Sequence, residues 1–361
     1  MTRSLPLVLV AEPLTPEAIS RLDAVARVVH AGPDLDALRP HLSAAEGLIV
    51  RTHTRVHHAL LDAAPQLRVV GRAGVGLDTI DILECQRRDV AVVHTPDANT
   101  TAVVEYVLSA VLARRRPIHA VPAGLDLAGW RAARQSALVP REVGEETIGV
   151  LGLGRIGRRI ARAFTALGSR VLYHDVINVP ADAREGAEPV DLDELRSRST
   201  ILTVHVDGRP SNRRLIDAAW LAELRDDVLL VNAARGFIVD DAALAAFLNA
   251  RTNASAIIDV HEPEPIPTGA PLASVPNALL TAHAASRTGA AQRAMSDVVD
   301  DVIRVLNGAA PVHPAAIPGS RPGSGGGSSS EANSGPCPRP GPGSDPDPDP
   351  DPDPGARGES I

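Results

Sequence analysis

Lysine is absent from this 361-residue chain, so all 36 of its basic residues are arginine. The absence excludes reactions that proceed through a lysine Schiff base. Aromatic residues make up only 2% of the sequence, and a buried core must therefore consist mainly of Ala, Val, Leu and Ile. No apolar run approaches the roughly 18 residues of a membrane-spanning helix. The N-terminal run Leu5–Ala11 is also too short for a secretion signal, and we predict that it forms a first buried strand.

Cysteine is scarce as well, with only Cys85 and Cys337, and the second lies in a segment rich in proline and glycine. A disulfide framework is not expected, which is typical of proteins in the reducing cytoplasm. The net charge is −8, of which −4 comes from the seven acidic and three basic residues from position 318 onward. The remaining −4 is spread over the body without a basic block, so we expect no nucleic-acid partner.

Short apolar runs recur along the chain and alternate with segments of helical period. They lack polar alternation, which is typical of parallel strands buried on both faces. Because helical segments separate them, the pattern predicts doubly wound α/β sheets. Ten or more strands are too many for one small sheet, and two such domains are expected. The runs comprise residues 5–11, 47–50, 67–71, 90–94, 147–154, 170–175, 201–206, 228–232, 256–260 and 278–283.

Two long helices and a tail complete this pattern. The segment Thr100–Pro117 predicts a helix that begins at Asn99–Thr100 and lies between two groups of strands. A final helix is predicted over Thr288–Leu306, followed by the capping pair Asn307–Gly308. Beyond about Pro311 the chain is rich in Pro, Gly and Ser and contains five Asp-Pro repeats, which predicts disorder. Such a tail either stays passively solvated or serves partner recruitment or weak cation binding.

A glycine-rich turn supplies the first functional signal. The GxGxxG pattern Gly152–Gly157 follows the apolar run TIGVL and opens the helical segment RIGRRIARAFTAL. In that context the glycines allow a tight turn, and the N–H groups near Arg155 and Ile156 suit a pyrophosphate. Asp175 ends the next strand and can accept both ribose hydroxyls, with no arginine directly after it for a 2′-phosphate. The pattern predicts an NAD site; the alternative is a helix–strand junction that happens to use glycines.

Three later strand ends carry polar side chains that suit chemistry. They are Arg235, the acidic group Asp259, Glu262 and Glu264, and His283. Ligands of open α/β sheets bind at the carboxyl ends of the strands, so these side chains are expected to converge. An arginine, a carboxylate and a histidine together form an acid/base site with an anion anchor. Taken singly, each has an ordinary explanation as a surface ion pair, a solvated loop residue or a strand-end histidine.

Several longer motifs occur in a fixed order: GRAGVGLDTID (71–81), TPDANTTAVVEY (95–106), GVLGLGRIG (149–157), VNAARGFIVDDAAL (231–244), DVHEPEP (259–265) and TAHAAS (281–286). On these motifs the chain, from about Leu5 to Gly308, resembles the D-isomer-specific 2-hydroxyacid dehydrogenases. Within that family it is most similar to the D-3-phosphoglycerate dehydrogenases. The order and spacing of the motifs over most of the chain favour a real relationship over a chance match.

The resemblance implies an NAD-dependent oxidoreductase that transfers a hydride between nicotinamide and a D-2-hydroxy acid or 2-oxo acid. It makes His283 the general acid/base, Glu264 the partner of its imidazole, and Arg235 the residue that binds the substrate carboxylate and polarises the carbonyl. Asp259 matches the residue that holds the nicotinamide carboxamide. Glu262 lies close in sequence, but the family pattern points to Glu264.

The resemblance also implies which residues bind the substrate and which bind the cofactor. Val75 and Gly76 belong to a loop whose N–H groups hold the carboxylate, and Arg51 and Arg72 match positions that contact the phosphate of 3-phosphoglycerate. An alternative for both arginines is ion pairing with nearby acids such as Asp78 or Asp81. No metal is implied. The cofactor set is Gly152, Gly154, Arg155, Ile156, Gly157, Asp175, Val206, Ala233 and Asp259.

The family layout implies a Rossmann NAD domain inserted into a flavodoxin-like substrate domain. We accordingly assign residues 1–99 and 286–312 to the substrate domain, 100–285 to the NAD domain and 313–361 to a disordered tail. Family members dimerise through the NAD domain, so a homodimer is expected. Because the sequence stops soon after its last helix, we expect neither the regulatory domains of long phosphoglycerate dehydrogenases nor feedback control by serine.

Departures from the family pattern concern the substrate more than the reaction class. Asp207–Gly208 replaces a usual Pro-Leu beside the cofactor, Glu145–Glu146 replaces a common Gly-Lys, and His53 replaces a small residue. The expected substrate is 3-phosphoglycerate, and the first alternative is a hydroxypyruvate, glyoxylate or other 2-oxo acid reductase with the same catalytic residues. The alternative from another class is a dinucleotide-sensing binding protein of the corepressor type.

Overall fold

Residues 7–94 form a first parallel sheet in the structure, a computed structural model that describes residues 4–316. Its strands are β1 (Leu7–Val10), β2 (Arg27–His30), β3 (Ala45–Val50), β4 (Val69–Arg72) and β5 (Ala91–His94). Its helices are α1 (Pro16–Asp23), α2 (Leu35–Leu42), α3 (His58–Asp62) and α4 (Ile82–Arg87). The strand order is β2-β1-β3-β4-β5, which is that of flavodoxin-like sheets.

Both faces of this sheet are covered, which explains the continuous apolar runs of its central strands. Leu9 and Leu48 pack into one hydrophobic cluster with the buried side chains of α2. Val8 and Ile49 face the opposite side and pack into a second cluster with α1 and with the last helix of the described chain. The sheet is therefore a buried layer between two layers of helix.

A second, larger sheet follows. Its strands are β6 (Thr147–Leu151), β7 (Arg170–His174), β8 (Glu188–Pro189), β9 (Ile201–Val204), β10 (Leu229–Asn232), β11 (Ser255–Ile258) and β12 (Ala278–Leu280). The remaining helices are α5 (Thr100–Arg115), α6 (Leu127–Ser136), α7 (Arg155–Ala166), α8 (Leu192–Arg198), α9 (Ala218–Ala222), α10 (Asp241–Ala250), α11 (Gly289–Ser296) and α12 (Val298–Leu306). All strands are parallel in the order β12-β11-β10-β9-β6-β7-β8. The order reverses between β6 and β9, where such sheets bind ligands.

The predicted fold class, two α/β domains built on parallel sheets, is confirmed. Each of the ten predicted apolar runs contains a strand. The two strands that the sequence did not predict, β2 and β8, lie at sheet edges. The ends of β2 are exposed, and β8 has only two residues, both exposed. Neither strand needs the apolar run by which a central strand is recognised.

Helices α5, α11 and α12 join the two sheets. Val107 of α5 is buried in a cluster of the second sheet, while Ala102 packs against α11. Val302 of α12 packs on the first sheet, where a Cβ at Gly71 would lie only 2.6 Å from its Cγ2 atom. The single helix predicted over 288–306 is two helices that meet at Asp297, and the predicted cap Gly308 has a φ of +81°.

The described chain ends along the edge of the first sheet. The N–H of Ala315 donates to the carbonyl of Val92 at 2.8 Å, and both oxygens of the buried Asp301 carboxylate accept N–H groups of Val312 and His313. Residues 313–315, which the boundary prediction assigns to the tail, thus pair with β5 or with Asp301. The rest of the predicted tail lies outside the described residues. Within 4–316, no helix has both the length and the apolar character to span a bilayer.

Candidate active site

The glycine turn between β6 and α7 leaves no room for a side chain at two of its three glycines. Gly152 has a φ of +95°, and a Cβ on it would lie 2.8 Å from the backbone carbonyl carbon of His205. A Cβ on Gly157 would overlap the carbonyl oxygen of Gly152. At Gly154, by contrast, a Cβ would meet no atom within 4 Å, so this part of the turn is open. Helix α7 begins at the next residue, and its unpaired N–H groups fit a dinucleotide pyrophosphate.

Asp175 lies one residue beyond β7 and contacts the glycine turn directly. Its Oδ2 accepts the N–H of Leu153 at 2.7 Å, and its Oδ1 accepts the N–H of Ile177 at 2.9 Å. The carboxylate is therefore fixed beside the turn. Of the other predicted cofactor residues, Val206 follows β9 with its nitrogen near Gly152, and Ala233 follows β10 at the rim of a buried cluster.

Arg209 is a neighbour of Asp175 that sequence reasoning missed. Its guanidinium binds Asp207 through two contacts, Nε–Oδ1 at 2.7 Å and Nη2–Oδ2 at 2.6 Å. These hydrogen bonds raise the pKa of Arg209, and the negative charge of Asp175 adds to the rise. The prediction considered only the residues that follow Asp175 in sequence, whereas Arg209 comes from the loop after another strand.

Asp259 is fully buried and holds the loop that carries His283. Its Oδ1 accepts the Thr281 hydroxyl at 2.6 Å and the N–H of Ala284 at 2.7 Å, and its Oδ2 accepts the N–H of Ala285 at 2.8 Å. A buried carboxylate needs such donors, and here the donors come from one loop. The contact of Asp259 with a nicotinamide carboxamide stays a prediction.

His283 and Glu264 form a hydrogen-bonded pair. The distance from His283 Nδ1 to Glu264 Oε2 is 3.0 Å, and Glu264 Oε1 accepts the N–H of His261 at 3.0 Å. Burial acts to raise the pKa of Glu264, but these hydrogen bonds outweigh it and hold the pKa below its ordinary value. An ionised Glu264 makes Nδ1 the donor and leaves Nε2 for a ligand. Glu262 instead binds Arg213, so the structure brings Glu264 and not Glu262 to the histidine.

Arg235 faces the first sheet rather than open solvent. Its Nε and Nη2 atoms both lie 2.9 Å from Oδ1 of Asp78, and its Nη1 donates to the carbonyl of Ala234 at 2.7 Å. The two side chains keep 27% and 26% of their surface exposed. A Cβ on Gly76 would overlap the guanidinium, so this predicted substrate residue lies directly against Arg235. The sequence suggests Asp78 only as an ion-pair partner of Arg51 or Arg72, and not of Arg235.

Arg72 holds its own loop. Its Nε donates to the carbonyl of Gly76 and its Nη1 to that of Ala73, both at 2.9 Å. Burial, aided by the like charge of Arg235, lowers the pKa of Arg72 to about 10, so it remains charged at neutral pH. The loop is also fixed at Val75, whose carbonyl is 3.2 Å from the Nδ1 of His94. Contact of Arg72 with a substrate phosphate stays a prediction.

Arg51 is tied to the loop after His283. Its Nη1 donates to the carbonyl of Pro13 at 2.9 Å and its Nη2 to Oε1 of Gln292 at 2.7 Å, while the amide of Gln292 donates to the carbonyl of Ser286 at 3.0 Å. Among the described residues, no carboxylate oxygen lies within ion-pair distance of the Arg51 or Arg72 guanidinium. Asp78 pairs with Arg235 and Asp81 accepts the N–H of Glu84, while the charge of Asp78 still acts to raise the pKa of Arg72.

Arg287 is a second cationic residue that sequence reasoning missed. It lies four residues after His283, is exposed, and has a positive charge close enough to lower the pKa of Arg51, an effect second only to burial. In the part of the chain that the structure describes, its side chain has no carboxylate within ion-pair distance. Its place directly after the TAHAAS motif was the signal that could have identified it.

These residues together define a dinucleotide-binding α/β protein with a His–Glu pair and an anion-binding arginine at the ends of neighbouring strands. Within residues 4–316, no three His, Cys, Asp or Glu side chains converge as a metal site would need. Residues 108–285 match the family model described as "D-isomer specific 2-hydroxyacid dehydrogenase, NAD binding domain".

Three known proteins illustrate the relationship. The chain is 36% identical over 306 residues to an (S)-sulfolactate dehydrogenase from Chromohalobacter salexigens, covering 83% of this chain and 98% of that protein. It is 38% identical over 308 residues to D-3-phosphoglycerate dehydrogenase of Mycobacterium bovis, covering 84% of this chain but 58% of that protein. Its fold matches an NADPH-dependent glyoxylate/hydroxypyruvate reductase from Sinorhizobium meliloti at 30% identity and a TM-score of 0.74, covering 87% and 97% of the two chains.

The chain belongs to the D-isomer specific 2-hydroxyacid dehydrogenase family, as the sequence predicted. Its NAD-binding domain is the part that the family model covers, which agrees with the open glycine turn and with Asp175. The chain spans 58% of the length of the mycobacterial phosphoglycerate dehydrogenase that it matches.

The carboxylate of Glu12 binds the loop that carries Arg51, and we expect this contact to stabilise the fold. This buried carboxylate accepts the N–H groups of residues 51–54 at 2.8–3.3 Å, and although burial acts to raise the pKa, these bonds lower it below the ordinary value of 4.5. Glu12→Gln should lower the free energy of unfolding by about 2 kcal/mol near pH 7, because the amide has one acceptor oxygen for several charge-assisted bonds.

The sign of the pH dependence follows from the lowered pKa. The stabilisation by Glu12 is complete above pH 4.5 and is lost as the pH falls through the lower pKa of the folded state. Urea midpoints of wild type and Glu12→Gln should therefore converge as the pH falls from about 7 to about 3. The exposed Glu17→Gln variant is the control and should follow wild type. A gap that stays constant over this range would contradict the prediction.

Proposed function

We propose that this chain is an NAD-dependent oxidoreductase that transfers a hydride between nicotinamide and a D-2-hydroxy acid or 2-oxo acid. The observation that carries the proposal is the convergence of Arg235, the His283–Glu264 pair and the open glycine turn at the carboxyl ends of one sheet. The nicotinamide, when bound, supplies or accepts the hydride. The protein residues then have to bind the acid, orient it and move one proton.

In this proposal His283 transfers the proton and Arg235 binds the substrate carboxylate. Nδ1 of His283 is occupied by Glu264, so Nε2 gives a proton to the carbonyl oxygen during reduction and takes it from the alcohol during oxidation. The negative charge of Glu264 stabilises the imidazolium and fixes the ring. Arg235 binds the substrate carboxylate and polarises the reacting carbonyl.

The cofactor preference proposed is NAD over NADP. Asp175 presents a carboxylate at the glycine turn, which suits ribose hydroxyls and repels a 2′-phosphate. Arg209 is the arginine identified near that carboxylate among the described residues. Its Nε and Nη2 atoms already donate to the carboxylate of Asp207. The glyoxylate/hydroxypyruvate reductase described above is NADPH-dependent, so a direct comparison of the two cofactors is part of the test.

His283→Ala should lower kcat by roughly 10²–10⁴-fold, the usual contribution of a positioned acid/base, while the Kd for NADH stays within about twofold. The measurement is NADH and NADPH oxidation with a panel of 2-oxo acids, together with NADH titration by fluorescence. The exposed His41→Ala variant, on α2 beside the first sheet, is the control. Near-wild-type turnover by His283→Ala would refute the assignment of the acid/base. A wild-type chain that binds NADH but reduces no acid would favour a binding protein.

The substrate proposed is a 2-hydroxy acid with a second anionic group at its far end, such as 3-phosphoglycerate. Arg51 and Arg287 supply the argument, because they carry like charges close together and Gln292 links Arg51 to the loop of Arg287. Among the described residues neither guanidinium has a carboxylate within ion-pair distance, and the charge of Glu12 acts on Arg51 less strongly than that of Arg287. A phosphate or a sulfonate would compensate both charges. The names of two relatives, a phosphoglycerate and a sulfolactate dehydrogenase, agree with such a substrate.

Arg287→Ala should reduce kcat/KM for 3-phosphoglycerate by about tenfold or more, since a charge-assisted contact contributes about 1.5–3 kcal/mol. The value for D-glycerate should change by less than about threefold, because glycerate has no second anion. Arg293→Ala, an exposed arginine on α11, is the matched control. If glyoxylate or glycerate is preferred by wild type over the phosphorylated acid, the alternative reductase function replaces this substrate class.

A homodimer formed through the NAD domain is proposed as the assembly. The segment 117–141 has little buried surface and exposes several large apolar side chains, which a partner would cover. They include Ile118 at 98%, Leu127 at 64%, Trp130 at 48% and Leu138 at 72% of their surface. Helix α6 contributes Leu127 and Trp130 and has no buried residue of its own.

Trp130→Glu should convert the dimer to a monomer, because a charge at the centre of an apolar interface is left without a partner. Sedimentation velocity at several protein concentrations measures the mass. Leu83→Glu, which alters an exposed apolar residue of α4, should leave the dimer intact. A wild-type chain that sediments as a monomer would refute the assembly.

The domain boundaries and the location are also proposals. Residues 1–99 and 286–312 would form the substrate domain, and residues 100–285 the NAD domain. The packing of α12 on the first sheet supports the assignment of residues 286–312 to the substrate domain. We place the protein in the cytoplasm. The thiol of Cys85 is free and buried, and burial raises its pKa to about 11, so it is inert and needs no disulfide partner.

A further inference from the structure

The contact between Asp78 and Arg235 joins the two sheets at the site. Asp78 lies in the loop after β4, and Arg235 lies in the loop after β10, 157 positions later. Both contacts, from Nε and from Nη2, reach the same oxygen, Oδ1, at 2.9 Å. The arginine that the proposed function assigns to the substrate carboxylate therefore already has a carboxylate partner.

The geometry of the guanidinium decides whether this partner blocks the substrate. A guanidinium has five N–H groups in one plane. Asp78 takes the edge formed by Nε and Nη2, and the carbonyl of Ala234 takes one N–H of Nη1. One N–H on Nη1 and one on Nη2 remain as donors for a second carboxylate. A substrate carboxylate and Asp78 can thus bind different N–H groups of Arg235 at the same time.

We propose that Asp78 is a positioning residue, which orients the guanidinium of Arg235 for the substrate carboxylate and makes anion binding depend on contact between the two sheets. The proposal rests on the proposed function of Arg235. Asp78 does not touch the reacting atoms. It acts by fixing a flexible side chain, whose ordering would otherwise weaken the binding of each anion.

Two glycines allow this pair to form. A Cβ on Gly76 would overlap Nη2 of Arg235, and a Cβ on Gly208 would lie 3.1 Å from Oδ1 of Asp78. A leucine at position 208, which the family pattern leads one to expect, would bring its side chain against the carboxylate. The carboxylate of Asp78 thus lies directly against a glycine at a position where this chain departs from its family.

Charge keeps Asp78 ionised. Burial acts to raise its pKa, but the charge and hydrogen bonds of Arg235, with a smaller effect of Arg72, hold the pKa below the ordinary value. The loop itself is rigid, because Arg72 clamps the carbonyls of Ala73 and Gly76. A charged carboxylate on a fixed loop is well suited to orient a guanidinium.

Asp78 as an orienting residue and Asp78 as a competitor of the substrate predict opposite results. The test measures kcat, KM and the inhibition constant of oxamate, a monocarboxylate analogue of a 2-oxo acid, together with the Kd for NADH. In Asp78→Ala the oxamate constant should rise about tenfold and kcat/KM should fall by about the same factor, while NADH binding is unchanged. In Asp78→Asn, which keeps the acceptor oxygen, both changes should be less than about threefold.

Asp62→Ala is the matched control. Asp62 forms an ion pair with Arg88 at 2.6 Å, and neither residue belongs to the proposed site. Tighter oxamate binding by Asp78→Ala would overturn the proposal in favour of competition. Unchanged constants would reduce Asp78 to a surface ion pair. A melting temperature within a few degrees of wild type shows that the variant is folded. Wild type that reduces none of the acids would refute the proposed function instead, so the two failures are distinguishable.

Discussion

The parallel pairing of the strands determines where this chain can carry out chemistry. All strand pairs within the two described sheets are parallel, so the carboxyl ends of neighbouring strands meet at one edge. Asn232 of β10, Ile258 of β11 and Leu280 of β12 are in register. Arg235 and His283 each lie three residues beyond these aligned positions. Strand register therefore places the proposed anion anchor and the proposed acid/base at the same edge of the sheet.

Carboxylates then fix the loops at the carboxyl edges of both sheets. Glu12, Asp175 and Asp259 lie one or two residues beyond β1, β7 and β11. Each accepts N–H groups from the loop of the neighbouring strand: β3 for Glu12, β6 for Asp175 and β12 for Asp259. A buried charge is tolerated only when such donors satisfy it, so each loop is held in one conformation. Each of the three acids thus anchors a loop, in addition to the cofactor contacts proposed for Asp175 and Asp259.

The sequence predicted the parts of this structure that burial imposes on neighbouring residues. Central strands are apolar because both faces are covered, and the glycine turn is recognisable because no side chain fits at Gly152 or Gly157. Strand β2 and the break at Asp297 escaped prediction, since an exposed edge and a local bend leave no such pattern. Partners of side chains escaped as well. Arg51 and Gln292 are 241 positions apart, and spacing along the chain carries no information about such a contact.

The charges around Arg235 would still attract the second carboxylate that the proposed function requires. Arg72 is buried against neutral carbonyl acceptors and keeps its charge. Arg72, Arg235 and Asp78 together carry a net charge of +1, because one carboxylate offsets only one of the two guanidiniums. Removal of Asp78 would strengthen the attraction for an anion but would free the side chain that has to receive it. Orientation and attraction therefore oppose each other at this residue, and the sign of the change in carboxylate affinity shows which of the two is larger.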